Sequence, residues 1–306
     1  SDLSMTEMSV TGFATVGGLV GDNNGGSIKN TAVSGSVNGT ESDVGGLAGA
    51  NNGSIQDVRT SASVDGADRL AGGLVGGNNG DIEDAIASGS VSGENQVGGF
   101  VGAHFQGTIR NATATGNVNG TSQVGGLIGD NDGSVTDATA SGNVTGARIT
   151  GGLVGEVGRS SVVSNVSASG TVIGESRVGG LVGEKFGGEV SDARATGGVD
   201  GAARDVGGLV GFNNRGTLLN ATASGDVNAS RRVGGLVGLN FGGSVSLAVA
   251  RGNVTGADNI GGVVGSNDGR LYAWTFPGLE RAWTFDTGGP IKAPISLVDG
   301  IAVFGS

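Results

Sequence analysis

Val16-Gly17-Gly18-Leu19-Val20-Gly21 is the first of ten closely similar six-residue phrases in this chain. The others begin at Val44, Ala71, Val97, Val124, Thr150, Val178, Val206, Val233 and Ile260, at intervals of 26 to 28 residues. A period held this tightly over so many copies describes one structural unit stacked on itself. The phrase is apolar on both parities of a strand. Either its glycine pair bends the chain so that Val and Leu both turn inward, or one set faces outward as an apolar stripe suited to a partner.

Between phrases, each unit of about 27 residues reads as a strand, a corner and two further strands. The corner is rich in Asn and Gly, as in Asp22-Asn23-Asn24-Gly25, Ala50-Asn51-Asn52-Gly53 and Asp130-Asn131-Asp132-Gly133. These residues tolerate positive φ, so a left-handed bend is expected there. The second strand carries one aliphatic residue at a fixed place, including Ile28, Ile55, Ile82, Ile109, Val135, Val190 and Val245. The third is a run of small residues, for example from Ala112 to Gly120. It alternates with period two, placing Ala112, Ala114 and Val118 on one face and Thr113, Thr115, Asn117 and Asn119 on the other.

No helical periodicity interrupts this pattern. The reading is an all-β fold over residues 1–270, a right-handed parallel β-helix or β-solenoid of about ten three-stranded coils. At ~4.8 Å per coil the rod is roughly 50 Å long. A single coil cannot bury its aliphatic residues, so neighbouring coils must complete one continuous core. After Arg270 the pattern stops. Leu271 to Ser306 hold both tryptophans, the single tyrosine and all three prolines. This segment reads as an aromatic C-terminal cap that would cover the last open coil.

Composition narrows the classes. Glycine supplies 67 of 306 residues but proline only 3, which excludes collagen. Aromatic residues are 4 %, so the core is thin and aliphatic. The net charge of −11, without a basic stripe, excludes nucleic acid and anionic lipid as expected partners. No cysteine is present for disulfides or thiolate metal sites, and no apolar run reaches the ~18 residues of a membrane span. Lysine is scarce, which suits a high-salt organism. Ser9-Val10-Thr11-Gly12 matches the end of a repeat, so a longer parent array is expected.

The core Gly18-Leu19-Val20-Gly21, repeated at Gly46-Leu47, Gly73-Leu74, Gly126-Leu127, Gly152-Leu153, Gly180-Leu181, Gly208-Leu209 and Gly235-Leu236, resembles the GLUG motif. Phe100 and Val263 stand in the Leu place in two copies. The resemblance spans about residues 9–270, and Trp283 to Pro290 is similar to the stretch that often closes such arrays. It implies a secreted or surface-anchored protein of bacteria or archaea, adhesin-like or a stalk. It implies no catalytic position.

The residues themselves assign none either. His104, the only histidine, stands in a corner where other repeats have Asn and reads as an exposed turn residue. Asp81, Glu83 and Asp84, and likewise Glu184 and Glu189, read as solvated charges. The corner sequences Asp130 to Gly133 and Asn267 to Gly269 admit structural calcium. Asn side chains stacked at the corners, hydrogen-bonding up the rod, account for them better. No other cofactor is expected. Nine N-glycosylation sequons begin at Asn38, Asn52, Asn111, Asn119, Asn143, Asn165, Asn220, Asn228 and Asn253.

The expected function is a non-enzymatic, extracellular structural and adhesive rod on a cell or virion surface. Its cell would be prokaryotic, with a halophilic archaeon as one source. Its partners would be a surface glycan, a protein ligand or copies of itself, with no membrane insertion by this segment. The alternatives are a self-assembling filament or fibre subunit and, from another class, a carbohydrate-active enzyme with paired carboxylates.

Overall fold

In the computed structural model of the protein, residues 3–262 are described, and beyond them only the backbone of four short strands, 270–274, 281–286, 296–298 and 301–303. The described chain is all β, coiled with the period of the phrase. In one coil Val101–His104 forms the first strand and Thr108–Ala114 the second; Val118–Asn119 and Ser122–Gly125 complete the turn. Each strand pairs in parallel with its counterparts one repeat away. Val101 lies between Val75 and Ile128, Ile109 between Ile82 and Val135, and Val118 between Val91 and Val144. The first strands stack into a nine-stranded sheet, and the remaining strands of the coils form a second sheet of 23. The last four strands instead pair antiparallel in two hairpins. The aromatic side chains assigned to a cap lie outside the described residues.

Both Val and Leu of the phrase turn inward: Val44, Leu47, Val97, Phe100, Val124 and Leu127 are fully buried. The glycine pair therefore bends the chain, and no outward apolar stripe runs along the phrase in the described coils.

The core is not single. Leu127, Ile128, Ile109, Ala112 and Ala114 belong to one wide column. Val97, Val118 and Val124 belong to a separate narrow one. The small-residue run is accordingly two strand segments, broken at residues 115–117, where the chain passes from the wide column to the narrow one. The period-two burial holds across the break, but Ala112 and Ala114 do not share a face with Val118.

The waist between the columns is made by glycine. A Cβ on Gly99, second in its phrase, would overlap the carbonyl oxygen of Gly126, its counterpart in the next coil. A Cβ on Gly98 would overlap the carbonyl of Val101, and one on Gly116 the carbonyl of Gly89. Opposite the phrase, Ala140 lies close against Gly126. From Ala87 to Ala250 the facing strand carries alanine at that level, while the buried Val33 and Thr60 hold the same register position in the first coils.

Left-handed backbone is placed differently from the expectation. It occurs at Gly25 (φ 78°), Gly107 (φ 88°), Gly187, Gly188, Arg215 and Gly242, but not at the corner glycines Gly53, Gly80 and Gly133. It recurs instead at two non-glycine positions of every coil. One lies within the second strand, as at Asp57, Asp84, Asn111 and Asp137 (φ 50–55°). The other immediately precedes the phrase, as at Gln96, Gln123, Ile149 and Arg177 (φ 52–55°). In the second strand the extra residue resets the alternation. Ile109 and Ala112, three apart, can then both face inward while Asn111 faces out. Asp and Asn lead at this position because they tolerate the left-handed region best among non-glycine residues. The interstrand bonds from Asn111 to Asp84, Asn165 to Asp137 and Asn220 to Asp192, each 2.5 Å, offset part of the backbone cost.

Thr150 occupies the first position of its phrase, where the other described coils carry Val or Ala or, in the last, Ile, and it splits the narrow column into two clusters. It is fully buried, and its hydroxyl has no hydrogen-bond partner among the described residues. Thr150→Val keeps the shape and removes the desolvated hydroxyl. We expect it to stabilise the protein by about 1–3 kcal/mol in equilibrium denaturation.

Candidate functional site

On the first strand of each coil, alternate residues point into and out of the rod, and the two sets carry different chemistry. The inward set at the corner is a polar column inside the fold. Asn23 Nδ2 donates to Asn51 Oδ1 and Asn51 Nδ2 to Asn78 Oδ1, both at 2.7 Å, and Asn213 Nδ2 donates to Asn240 Oδ1 at 2.8 Å. The amides also donate to corner carbonyls, as Asn78 does to Gly80 O at 2.9 Å. The expected asparagine ladder is present, and every link runs in the same direction along the rod.

His104 is a rung of this ladder. It is 1 % exposed, not the solvent-facing turn residue that its corner position suggested. Asn78 Nδ2 lies 3.0 Å from its Nδ1. An amide N–H can only donate, so Nδ1 accepts and the neutral ring carries its proton on Nε2. Nε2 and the Oδ1 of Asn131, the next rung, are both buried without partners among the described residues. They are a donor and an acceptor on adjacent rungs, which continue the ladder's direction. Burial pushes the His104 pKa below its ordinary 6.5, against smaller opposing contributions from neighbouring backbone groups and the charge of Asp81.

Val157 interrupts the ladder, and Lys185 takes the rung after it. The lysine is fully buried, its Nζ donating to Gly187 O at 2.7 Å and Gly188 O at 2.5 Å. Burial pulls its pKa down to about 8.

The outward set forms a face. Ala103, Asp130, Glu156, Glu184 and Phe212 occupy one register position on five successive coils. Three carboxyl groups therefore follow one another at the ~4.8 Å spacing of the coils. The left-handed residues before the phrases reach across to them. Gln96 Nε2 donates to Asp130 Oδ2 at 2.9 Å and Gln123 Nε2 to Glu156 Oε2 at 2.8 Å. Arg177 pairs with Glu184 Oε2 and lies 5.5 Å from the Phe212 ring centroid. Burial, followed by the charge of Glu156, pushes Asp130 up to about 6. Burial also raises Glu156 and Glu184, against the Gln123 amide and the Arg177 guanidinium respectively. Glu184 is fully buried, which corrects its reading as a solvated charge; Glu189 is exposed. Beside this column lies a shallow depression lined by Asp132, Glu156, Gly158, Arg159, Ser160 and Phe186.

The face was readable in principle. The residue after the last glycine of each phrase is Asp130, Glu156 and Glu184 in three consecutive copies. Pairing Glu184 with Glu189 by nearness in the chain hid this alignment by period.

All nine sequon asparagines are exposed. Asn111, Asn165 and Asn220 are tied to aspartates of the preceding coil. Asn52 donates to Asp22 Oδ1 at 3.3 Å, and Asn143 Oδ1 accepts from the Thr171 backbone N–H at 3.0 Å. Of the corner acids that suggested calcium, Asp130 and Asp132 lie on the outer face while Asn131 is a buried rung; Asn267 to Gly269 lie outside the described residues. Among the described residues no group of three or more His, Asp or Glu is disposed to hold a metal ion, and no helix is long and apolar enough to cross a membrane.

The family model of the GLUG motif matches residues 68–92, 93–119, 120–145 and 202–228. Each match spans one turn of the solenoid. Neither a curated protein nor a solved structure matches the chain.

The His104 rung makes a signed prediction. A histidine held neutral in the fold stabilises fully above the unfolded value of 6.5, and that contribution is lost as pH falls from there toward the depressed folded value. His104→Asn keeps an amide in the ladder and removes the titration. Between about pH 7.5 and 5.5 the native protein should lose stability relative to this variant, by up to about 1.4 kcal/mol per pH unit below 6.5. Asp130 titrates with the opposite sign but is common to both proteins, so the difference in denaturation midpoints isolates the histidine.

Proposed function

We propose that this GLUG-repeat protein is a non-enzymatic extracellular rod whose solenoid is the structural body and whose nine-stranded sheet carries an adhesive face. The observation that supports the reading most directly is the contrast between that face and the rest of the coil. Most inward positions are occupied by aliphatic side chains, the ladder and glycine. The outer side of the first strands, by contrast, carries the part-exposed Asp130 and Glu156, with the buried Glu184 next in register and Arg177 and Phe212 beside it. A rod of this kind stabilises itself through its stacked backbone, so outward positions can vary in chemistry coil by coil at little cost to the fold. The exposed sequons fit display on a surface and would carry glycans in an organism that modifies them; intact mass of native material would then exceed the sequence mass.

Assembly into a filament through the V-G-G-L-V-G phrase is disfavoured, because its Val and Leu side chains are spent on the core. The test is binding of the labelled protein to whole cells and to an array of surface glycans, alongside sedimentation across concentration. We expect retention on the surface, at least tenfold weaker for a Glu156→Gln, Phe186→Ala double variant, with monomeric sedimentation and no release of sugar. Concentration-dependent assembly without surface binding would replace this reading with the filament.

A further inference from the structure

The corners of the rod change character along its length. In the early coils the residue after each ladder rung is polar and tied to its neighbours. Asn52 donates to Asp22 Oδ1 at 3.3 Å and Asn79 to Asn52 Oδ1 at 3.1 Å. Three successive later corners read Phe186-Gly187-Gly188, Asn214-Arg215-Gly216 and Phe241-Gly242-Gly243. Phe186 is the register partner of Asn214, and the Arg215 backbone N–H donates to Phe241 O at 2.9 Å. Arg215 therefore stands between two phenylalanines along one edge of the rod. Phe241 is 58 % exposed, Phe186 is half-buried and Arg215 is exposed. Arg177 covers Phe212 on the adjoining face, but neither Phe186 nor Phe241 has a cation over its ring among the described residues. A Cβ on Gly242 would meet Arg215 Cγ at 3.5 Å, so the arginine stem passes the residue next to Phe241. Its guanidinium is in no ion pair among the described residues. The backbone adds a second observation. Arg215 is held at φ 61°, where a Cβ costs free energy, whereas the neighbouring corners place glycine in the left-handed region, Gly187 at 83° and Gly242 at 67°. Nothing in the fold calls for arginine at this position, and its side chain is free to serve a partner.

We propose that this edge binds an acidic saccharide, with the carboxylate or sulfate on the Arg215 guanidinium and sugar rings against Phe186 and Phe241. The inference rests on the adhesive reading of the nine-stranded sheet and names its ligand class. A guanidinium presents a planar fork of donors that fits a carboxylate or sulfate with two parallel hydrogen bonds. The two phenylalanines are two coils apart, roughly 10 Å along the rod, so a chain of sugars can touch both and pass Arg215 between them. Their partly exposed rings offer flat apolar faces to the C–H faces of sugars.

Other occupants fit less well. A wholly apolar partner would cover the rings but bury the guanidinium unpaired, which is costly. A peptide adding as a strand finds no edge here, because the Val210–Asn214 strand is paired on both sides. Arg159, exposed one coil before Phe186 and also without an ion pair among the described residues, extends the cationic edge. Glu156, across Phe186 in the shallow depression, would accept from sugar hydroxyls while the anion lies on the Arg215 side.

The test is isothermal titration of the full chain, at low ionic strength, with two acidic oligomers and their uncharged parents. Galacturonate oligomers are set against their methyl esters, sulfated glucose oligomers against glucose oligomers, and polyaspartate supplies anions without rings. The expected result is at least tenfold higher affinity for one or both acidic oligomers than for the uncharged parent and for polyaspartate, weakening as salt is added. Arg215→Asn removes the charge but keeps a residue that tolerates the left-handed region, and should lose at least tenfold. Phe241→Ala should weaken binding with the native circular dichroism spectrum retained. Equal affinity for charged and uncharged oligomers, polyaspartate bound as tightly, or full affinity in folded Arg215→Asn would each overturn the proposal. Retention on the glycan array through neutral or basic sugars only, with no acidic oligomer bound, would sink this inference and leave the adhesive face standing; retention of nothing would sink both.

Discussion

Backbone-against-backbone contact at glycine is the constraint on which this fold depends. Parallel coils separated by ~4.8 Å leave no room for a side chain where one carbonyl points at the next Cα. The second glycine of each phrase sits at such a point, as Gly99 does over Gly126, and so does the Gly89, Gly116 and Gly142 column on the facing wall. The two glycine walls pinch the coil at its waist. The pinch divides the core, sets Ala114 and Ala140 against the phrase, and turns Val and Leu of one phrase into different columns. The recurrence of glycine and the divided shape of the core are consequences of one steric fact.

Polar groups are handled by the same stacking. A corner that recurs every coil must satisfy its carbonyls every coil, and an inward Asn does so while bonding to the next Asn. The arrangement accepts guests that keep the direction of donation. His104 accepts from Asn78, and Lys185 serves two carbonyls beyond the gap at Val157. Outside, the same periodic logic puts Asp130, Glu156 and Glu184 on adjacent rungs, where burial, and after it the charge of neighbouring carboxylates, holds protons longer than on free carboxylates. Stabilising features and chemical features therefore occupy opposite sides of the same strand.

Much of this was legible in the sequence. The period set the coil, the alternation in Ala112 to Asn119 identified the buried residues, and the stacked corner asparagines announced the ladder. What escaped was whatever depends on how the walls of one coil meet. A period-two pattern reports that Ala114 and Val118 are both inside, but not that a waist separates them. Asp57, Asp84 and Asn111 recur at the same place in each repeat, yet a left-handed residue inside a strand leaves no signature beyond that recurrence. His104 was misplaced because a polar residue in an Asn-Gly corner is ordinarily solvent-facing; only the inward turn of the strand end buries it. The outer acidic column was missed for want of comparing the residue after each phrase across coils.

Glycine at the waist is required by contact with the neighbouring coil and not by backbone flexibility alone. Thermal and chemical unfolding of Gly99→Ala beside Gly25→Ala tests it. Gly25 is left-handed (φ 78°) with open space around it, whereas the position on Gly99 is filled by the carbonyl of Gly126. Gly25→Ala should lose about 1 kcal/mol, and Gly99→Ala about 3 kcal/mol or more, or fail to fold. Equal, small losses for the two variants would contradict it.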